Sequence, residues 1–359
     1  MACRFGRSAA GPGYLVIRFA SIWQQTLSSP NILNVKRRAN STVTTLAGTS
    51  ASVIQALIDA AIPGDTIQVN PGNYIGSLDF NGKDITLTAS AGPTNTVLHG
   101  NNAKAVIIGP GGTIKGFTIT GARASFGAGI EVRGSSTLII GNVFDDNIQS
   151  GGGFGAAIGG NNSSPTIERN IFKNNSCDSQ FLSGVIGFVN SSSPVIVNNI
   201  FENNPCRGVN MTLPAGNAPL VLNNTFIGNR VGIRTDRRIN INAQIYRNNI
   251  IVQNEVGLET DFGGEINNSV WENNLVFDNT VNYQGILDQS WINGNISSDP
   301  LFVDANTSNY QLQIGSPAID TGNSVDAPVI DFEGTARPLD GDGDTVPEVD
   351  IGAFEAPAL

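Results

Sequence analysis

Charge, histidine, cysteine and long apolar runs are all scarce in this chain. Of its 359 residues 14% are charged and 40% are hydrophobic. A disordered chain carries the reverse balance. Three cysteines are too few for a disulfide scaffold. No uninterrupted apolar run approaches the ~18 residues that a membrane-spanning helix needs. Seventeen prolines, with no strict glycine period, exclude collagen. What the chain has in excess is turn formers, 42 glycines and 42 asparagines. That excess implies many bends and little helix.

The net charge of −10 is unevenly placed. Residues 1–298 hold 18 acids and 19 bases, and residues 299–359 hold 12 acids with Arg337 as the only base. No basic stripe exists for phosphate, so nucleic acid is not an expected partner. No acid precedes Asp59, whereas Arg4, Arg7, Arg18, Lys36, Arg37 and Arg38 all do. The apolar run from Tyr14 to Trp23 is broken by Arg18. It matches poorly the basic, apolar and small-residue order of an export signal. Residues 1–48 therefore read as a targeting segment or a disordered extension.

The dominant signal is an internal repeat. Six segments align, beginning at Asn142, Asn170, Asn199, Asn224, Asn249 and Asn274. A second asparagine follows each by five residues, at Asn147, Asn175, Asn204, Asn229, Asn254 and Asn279. Between them runs an apolar column of Phe144, Phe172, Phe201, Phe226, Ile251 and Val276. Another runs through Ile139, Ile167, Ile196, Val221, Tyr246 and Trp271. The unit is 25–29 residues long and alternates with a period of two. It has no room for a helix and cannot bury its own apolar face, so neighbours must stack. These features predict a parallel β-helix whose coils lie ~4.8 Å apart, with like residues stacked. The asparagines then form amide ladders at tight bends.

The pattern continues upstream in weaker form through Ile114–Ile119, Ile85–Ala89 and Thr66–Val69. One helical stretch, Ser52–Ala61, places Val53, Ile54, Leu57, Ile58 and Ala61 on one face. Ser50 or Ser52 can cap it, and Pro63-Gly64 ends it. It is the expected cap of the solenoid's first coil. The domain reading is residues 1–48, then a β-helix over 49–298, then an acidic C-terminal cap over 299–359.

The stretch Ile54–Tyr74, with its Ile62-Pro-Gly-Asp65 turn and its Asn70-Pro-Gly-Asn73 turn, resembles the opening of right-handed parallel β-helix proteins of the pectin-lyase-like superfamily. Asp299–Asp304, Gly315–Gly322 and Asp340–Glu355 resemble the C-terminal region of bacterial surface β-helix proteins whose anchoring device varies. The resemblance covers about residues 50–357. It implies an all-β right-handed solenoid of about 8–10 coils. For activity it implies only a range, because the superfamily mixes lyases, hydrolases, epimerases and non-catalytic surface proteins.

Three constellations could carry chemistry or stability. Asp340, Asp342 and Asp344 alternate with Gly341 and Gly343, as the first ligands of a calcium loop do. Thr345 stands where an EF-hand turn needs glycine, and Ile351 where it needs glutamate. The loop is thus calcium-loop-like, with Asp350 or Glu355 as the closing ligand and a structural Ca²⁺ as the expected cofactor. Cys177 and Cys206 each lie seven residues after a first-column asparagine, in adjacent coils. Their spacing allows either a disulfide or a buried thiol ladder. Arg230, Arg234, Arg237 and Arg238 cluster, with Arg207 one coil earlier. Lyases of the superfamily use an arginine or lysine base beside groups that neutralise uronate carboxylates, which makes these the candidate catalytic or sugar-binding residues.

Other features argue against specific chemistries. Asp145-Asp146 reads as a solvated turn, and His99 as a surface or capping residue. The Asn-Thr-Asp, Gly-His-Gly and Arg-Ile-Lys motifs of the superfamily's hydrolases and the Asp-Pro-His-Glu motif of alginate epimerases are missing. Tyr283, Trp291, Tyr310, Phe126 and Phe154 could offer stacking platforms to sugars. The expected protein is an extracellular or cell-surface β-helix, monomeric, that binds polysaccharide in a groove. The alternatives are a polysaccharide lyase or glycoside hydrolase, and a purely structural surface solenoid.

Overall fold

A computed structural model describes residues 42–44, 49–178, 183–212, 217–235, 244–260 and 269–359. The chain winds through three long parallel sheets, here called A, B and C in the order each coil visits them. Sheet A has ten strands, sheets B and C nine each. Parallel crossovers of this kind are right-handed almost without exception. Stacking in the three long sheets is in register except for one irregularity between Ser135 and Leu138 in sheet A. Ile139 pairs with Ile114 and Ile167, Ile196 with Val221, and Tyr246 with Trp271. The inward phenylalanines follow suit. The rings of Phe144, Phe172, Phe201 and Phe226 stack at 4.9, 4.6 and 4.5 Å.

Two tight bends per coil explain the asparagines. At the A–B bend one residue takes the left-handed conformation: Gly141, Arg169, Asn198, Asn223, Asn248 and Asn273 in successive coils. At the B–C bend the same role falls to Asp146, Asn174, Asn203, Gly228, Gln253 and Asp278. Asparagine, aspartate and glycine tolerate that region best. The next residue is the ladder asparagine, which turns inward. Asn199 is representative. Its Oδ1 accepts from the Asn170 backbone N–H at 2.9 Å and from Asn170 Nδ2 at 3.0 Å. Its Nδ2 donates to Ile167 O, Val197 O and Asn224 Oδ1. Backbone groups that the bend strands inside the protein are thereby satisfied. Asn295 and Asn282 supply the last acceptors of the two ladders.

The ends and flank are closed differently. Helix α1 spans Ala51–Ala60 with Ser50 as its N-cap, and buries Ile54, Leu57 and Ile58 over the first coil. Strand Thr42–Thr44 pairs in parallel with Thr66–Gln68, so sheet A begins inside the stretch expected to be targeting or disordered. The remaining residues before it lie outside the described part.

The acidic C-terminal segment reaches well beyond the last coil. It lies along the outer face of sheet B as a strap. Tyr310, Leu312, Ala318, Ile319, Ile351, Ala353 and Phe354 pack on outward-facing Ile200, Ile227, Ile250, Val252 and Leu275. The left-handed asparagines of four successive coils hold its backbone. Asn198 donates to Ile330 O, Asn223 to Asp350 O, Asn248 to Asn323 O and Asn273 to Thr321 O. The physical cause is the apolar outer face of those coils, which needs a cover.

A fourth, short sheet D adds Arg123–Phe126, Ile148–Phe154 and Ser176–Cys177 between sheets B and C. It uses the extra residues of the 28- and 29-residue coils. Cys177 is joined to Cys206 by a disulfide, with Cα atoms 5.7 Å apart.

Candidate functional site

Outward positions on sheet C form one column across the coils. In register it runs Ile107, Glu131, Gly159, Gly187, Asn210, Arg234, Glu259 and Gln284. Strand periodicity sends the intervening residues, among them Phe188, Met211 and Ile233, into the core.

The later half of this column is a buried charge network. Arg207 binds Glu259 with both ends of its fork, Nε to Oε2 at 2.6 Å and Nη2 to Oε1 at 3.2 Å. Arg234 is 1% exposed and donates from Nη1 to Asn210 Oδ1 at 2.8 Å. Its Nε lies 3.9 Å from Glu259 Oε2. A buried guanidinium is tolerable only with such partners, since desolvation otherwise costs several kcal/mol. Arg230 stands at the rim, at the bend between sheets B and C. It faces a cleft of about 430 Å³ lined by Asn203, Pro205, Gln253 and Glu255. Burial, and then the nearby charge of Arg207, hold its pKa below the usual arginine value. Three arginines thus converge, with Glu259 and Glu255 as the nearby countercharges.

The structure brings together two of the four arginines singled out in the sequence, Arg230 and Arg234, and joins them to Arg207. Arg237 and Arg238 lie outside the described residues. Glu259 and Asn210 were not anticipated. A signal existed: each stands two residues after a glycine at the same place in its coil, in Gly208-Val-Asn210, Gly232-Ile-Arg234 and Gly257-Leu-Glu259.

A second charged group occupies the early coils of the same sheet. Glu131 pairs with Lys104 and with Arg133, the latter at 2.6 Å. Burial lowers the Lys104 pKa, and the Arg133 charge adds to it.

The acidic loop is rearranged relative to expectation. Carboxylate oxygens of Asp340 and Asp342 meet one of Asp320, all within 4.8 Å of one another. Asp344 is not part of this trio and accepts from the Val346 N–H instead. Asp350 is turned inward. Its oxygens accept from the N–H groups of Asp320 and Ala356, and burial raises its pKa to about 6. Asp320 takes its place because the strap folds Gly315–Gly322 back onto the loop. Oxygens separated by up to about 5 Å can share one Ca²⁺ at 2.3–2.6 Å from each, so the trio fits a hard cation.

The remaining candidates sort by exposure. Asp145 accepts from Asn174 Nδ2 and lies 3.8 Å from Lys173, and Asp146 is a bend residue. His99 Nδ1 accepts from the Asn101 N–H. Tyr310 is core, its hydroxyl donating to Glu202 at 2.7 Å. Trp291 is exposed, and Phe126 stacks obliquely on Phe154 at 5.5 Å on sheet D.

Residues 85–238 match a family described as "Right handed beta helix region". No curated protein matches the chain. Among solved structures, pectate lyase Pel9A is similar at 15% identity and a TM-score of 0.43, over 84% of this chain and 90% of that one. An alginate lyase from a Paenibacillus species is similar at 14% identity and a TM-score of 0.42, over 72% and 98%. A pectin methylesterase in complex with a hexasaccharide follows at 10% identity and a TM-score of 0.40, over 77% and 96%. Identities this low speak to nothing beyond the coiled fold.

Proposed function

We propose that the protein binds an acidic, uronate-containing polysaccharide on sheet C, through Arg230 at the rim of the arginine cluster. The observation that carries this reading is the convergence of Arg207, Arg230 and Arg234 on one patch. A sugar carboxylate meeting Arg230 would add a charge-assisted pair, the strongest kind of hydrogen bond available to a surface ligand. Asn203 and Gln253 beside the cleft are suited to sugar hydroxyls. The protein is read as extracellular, since a disulfide persists in an oxidising compartment. A calcium ion on Asp320, Asp340 and Asp342 would serve structure, pinning the strap.

A second reading is a polysaccharide lyase. Its support is geometric: Arg230 lines the cleft partly buried, with Arg207 nearby, an arrangement that lowers its pKa in the direction a base requires. Removal of the proton next to the uronate carboxylate, with departure of the glycosidic oxygen, would leave an unsaturated uronate.

Affinity electrophoresis through polygalacturonate, alginate and neutral dextran tests both. Binding predicts retardation by a uronate polymer, loss of it in Arg230→Ala, and none with dextran. Equal mobility in all three gels overturns the reading. Ultraviolet absorbance of an unsaturated product would convert binding into lyase activity.

A further inference from the structure

Resting on that reading, we infer that sheet D is a fixed wall across the sheet C groove, so that the arginine site takes the end of a polysaccharide chain and not its interior. A polymer running along sheet C would cross each rung of the outward column in turn. Four of those rungs, Gly159, Gly187, Asn210 and Arg234, are buried although they face outward. At the two glycines the cover is Phe154 of sheet D together with Gly127 and Gly155, which directly follow its strands. A Cβ built on Gly159 would lie 2.4 Å from Phe154 O and 2.7 Å from Gly127 N. One on Gly187 would lie 2.9 Å from Gly155 N and 3.1 Å from Phe154 Cβ. The glycines are there because the wall leaves no room for any side chain, still less for a sugar. On one side of the wall stands Glu131, on the other Asn210, Arg234 and Glu259.

The wall is held in place at three points. Ser183 Oγ donates to Gln149 Oε1 at 2.6 Å, and both residues are buried. Arg123 reaches across sheet D to Asp178 at 2.5 Å. The Cys177–Cys206 disulfide ties its last strand to the residue before Arg207. A bound chain therefore terminates next to the arginines and extends only toward the later coils, where Gln284 is exposed.

Chain length separates the two modes. Polygalacturonate or alginate is compared with the same polymer cut about tenfold shorter, at equal total uronate, by calorimetric titration. End binding predicts that apparent affinity per uronate rises about tenfold, because the number of ends does. Affinity per uronate that is independent of length overturns the wall, while leaving polysaccharide binding standing. Failure of both lengths to bind overturns the polysaccharide reading and the wall's role with it. As a second measurement, the Cys177→Ser/Cys206→Ser protein should lose part of the preference for short chains while Arg230 still supports binding. An unchanged preference would show that the disulfide does not hold the wall.

Discussion

At the scale of single residues, the asparagine ladders carry the largest concentration of buried polar groups. Removing the Asn199 side chain leaves the Asn170 amide and several carbonyls without partners in a dry interior. Each such orphan costs about 1–3 kcal/mol, so Asn199→Ala should destabilise the protein by about 3 kcal/mol or more. Exposed Asn73 on sheet B has no such role, and Asn73→Ala should stay within about 0.5 kcal/mol. Chemical denaturation of the two variants checks this, and equal losses would show that the ladder amides are replaceable by water. Residues of this kind were fully legible in the sequence, because stacking repeats the same demand in every coil. Glu259 was harder to see. Its role depends on Arg207 two coils earlier, and only the glycine offset that aligns the sheet C strands brings the two positions together.

At the scale of elements, legibility follows repetition. The three long sheets and helix α1 follow from periodicity, while sheet D occurs in only three coils and shows in the sequence only as the extra residues of the 28- and 29-residue coils. The strap was misplaced for a different reason. Its docking surface is written in the sheet B strands as a gradient, from Val143 and Asp145 to Ile250 and Val252, with apolar residues gaining at the outward positions. The repeat itself displays only the inward column. The disulfide closes a 29-residue separation, and reducing it should lower stability by about 3–4 kcal/mol. A shift in the thermal midpoint with reductant, absent in Cys177→Ser/Cys206→Ser, checks this.

The strap also carries a pH dependence whose sign can be worked out. Glu355 is held near Arg337 at 3.5 Å, and both side chains are fully buried. Burial, partly opposed by Arg337, raises the Glu355 pKa from 4.5 to about 7. A raised carboxyl pKa means that the folded state holds the proton more tightly than the unfolded one. The stabilisation is complete below pH 4.5 and is lost as pH rises through about 7. Asp350, raised to about 6, acts in the same direction. Strap stability should therefore fall between pH 5 and pH 8, and Glu355→Gln should flatten that fall without abolishing it. A profile that rises over this range in both proteins would mean that the Arg337 pairing outweighs burial.

At the scale of the whole molecule, the solenoid is a stack of nearest-neighbour contacts, so a local opening need not spread. The strap changes that coupling because it binds four successive coils through Asn198, Asn223, Asn248 and Asn273. Loosening it should let those coils open more independently, and calcium is the proposed fastening. Asp320 Oδ2 already accepts from the Gly341 and Asp342 amides at 2.8 Å, which joins the two halves of the strap at the acidic trio. A cation there would remove the repulsion among three close carboxylates and stiffen that joint. Hydrogen exchange with calcium and with a chelator tests the chain of cause and effect. Calcium should slow exchange in residues 299–359 and, less strongly, in the ladder asparagines beneath them, while the coils before Asn142 remain unchanged. Protection confined to the acidic loop would mean that the strap does not couple the coils. Uniform exchange under both conditions would remove calcium from the strap altogether, leaving the apolar contacts with sheet B as its fastening.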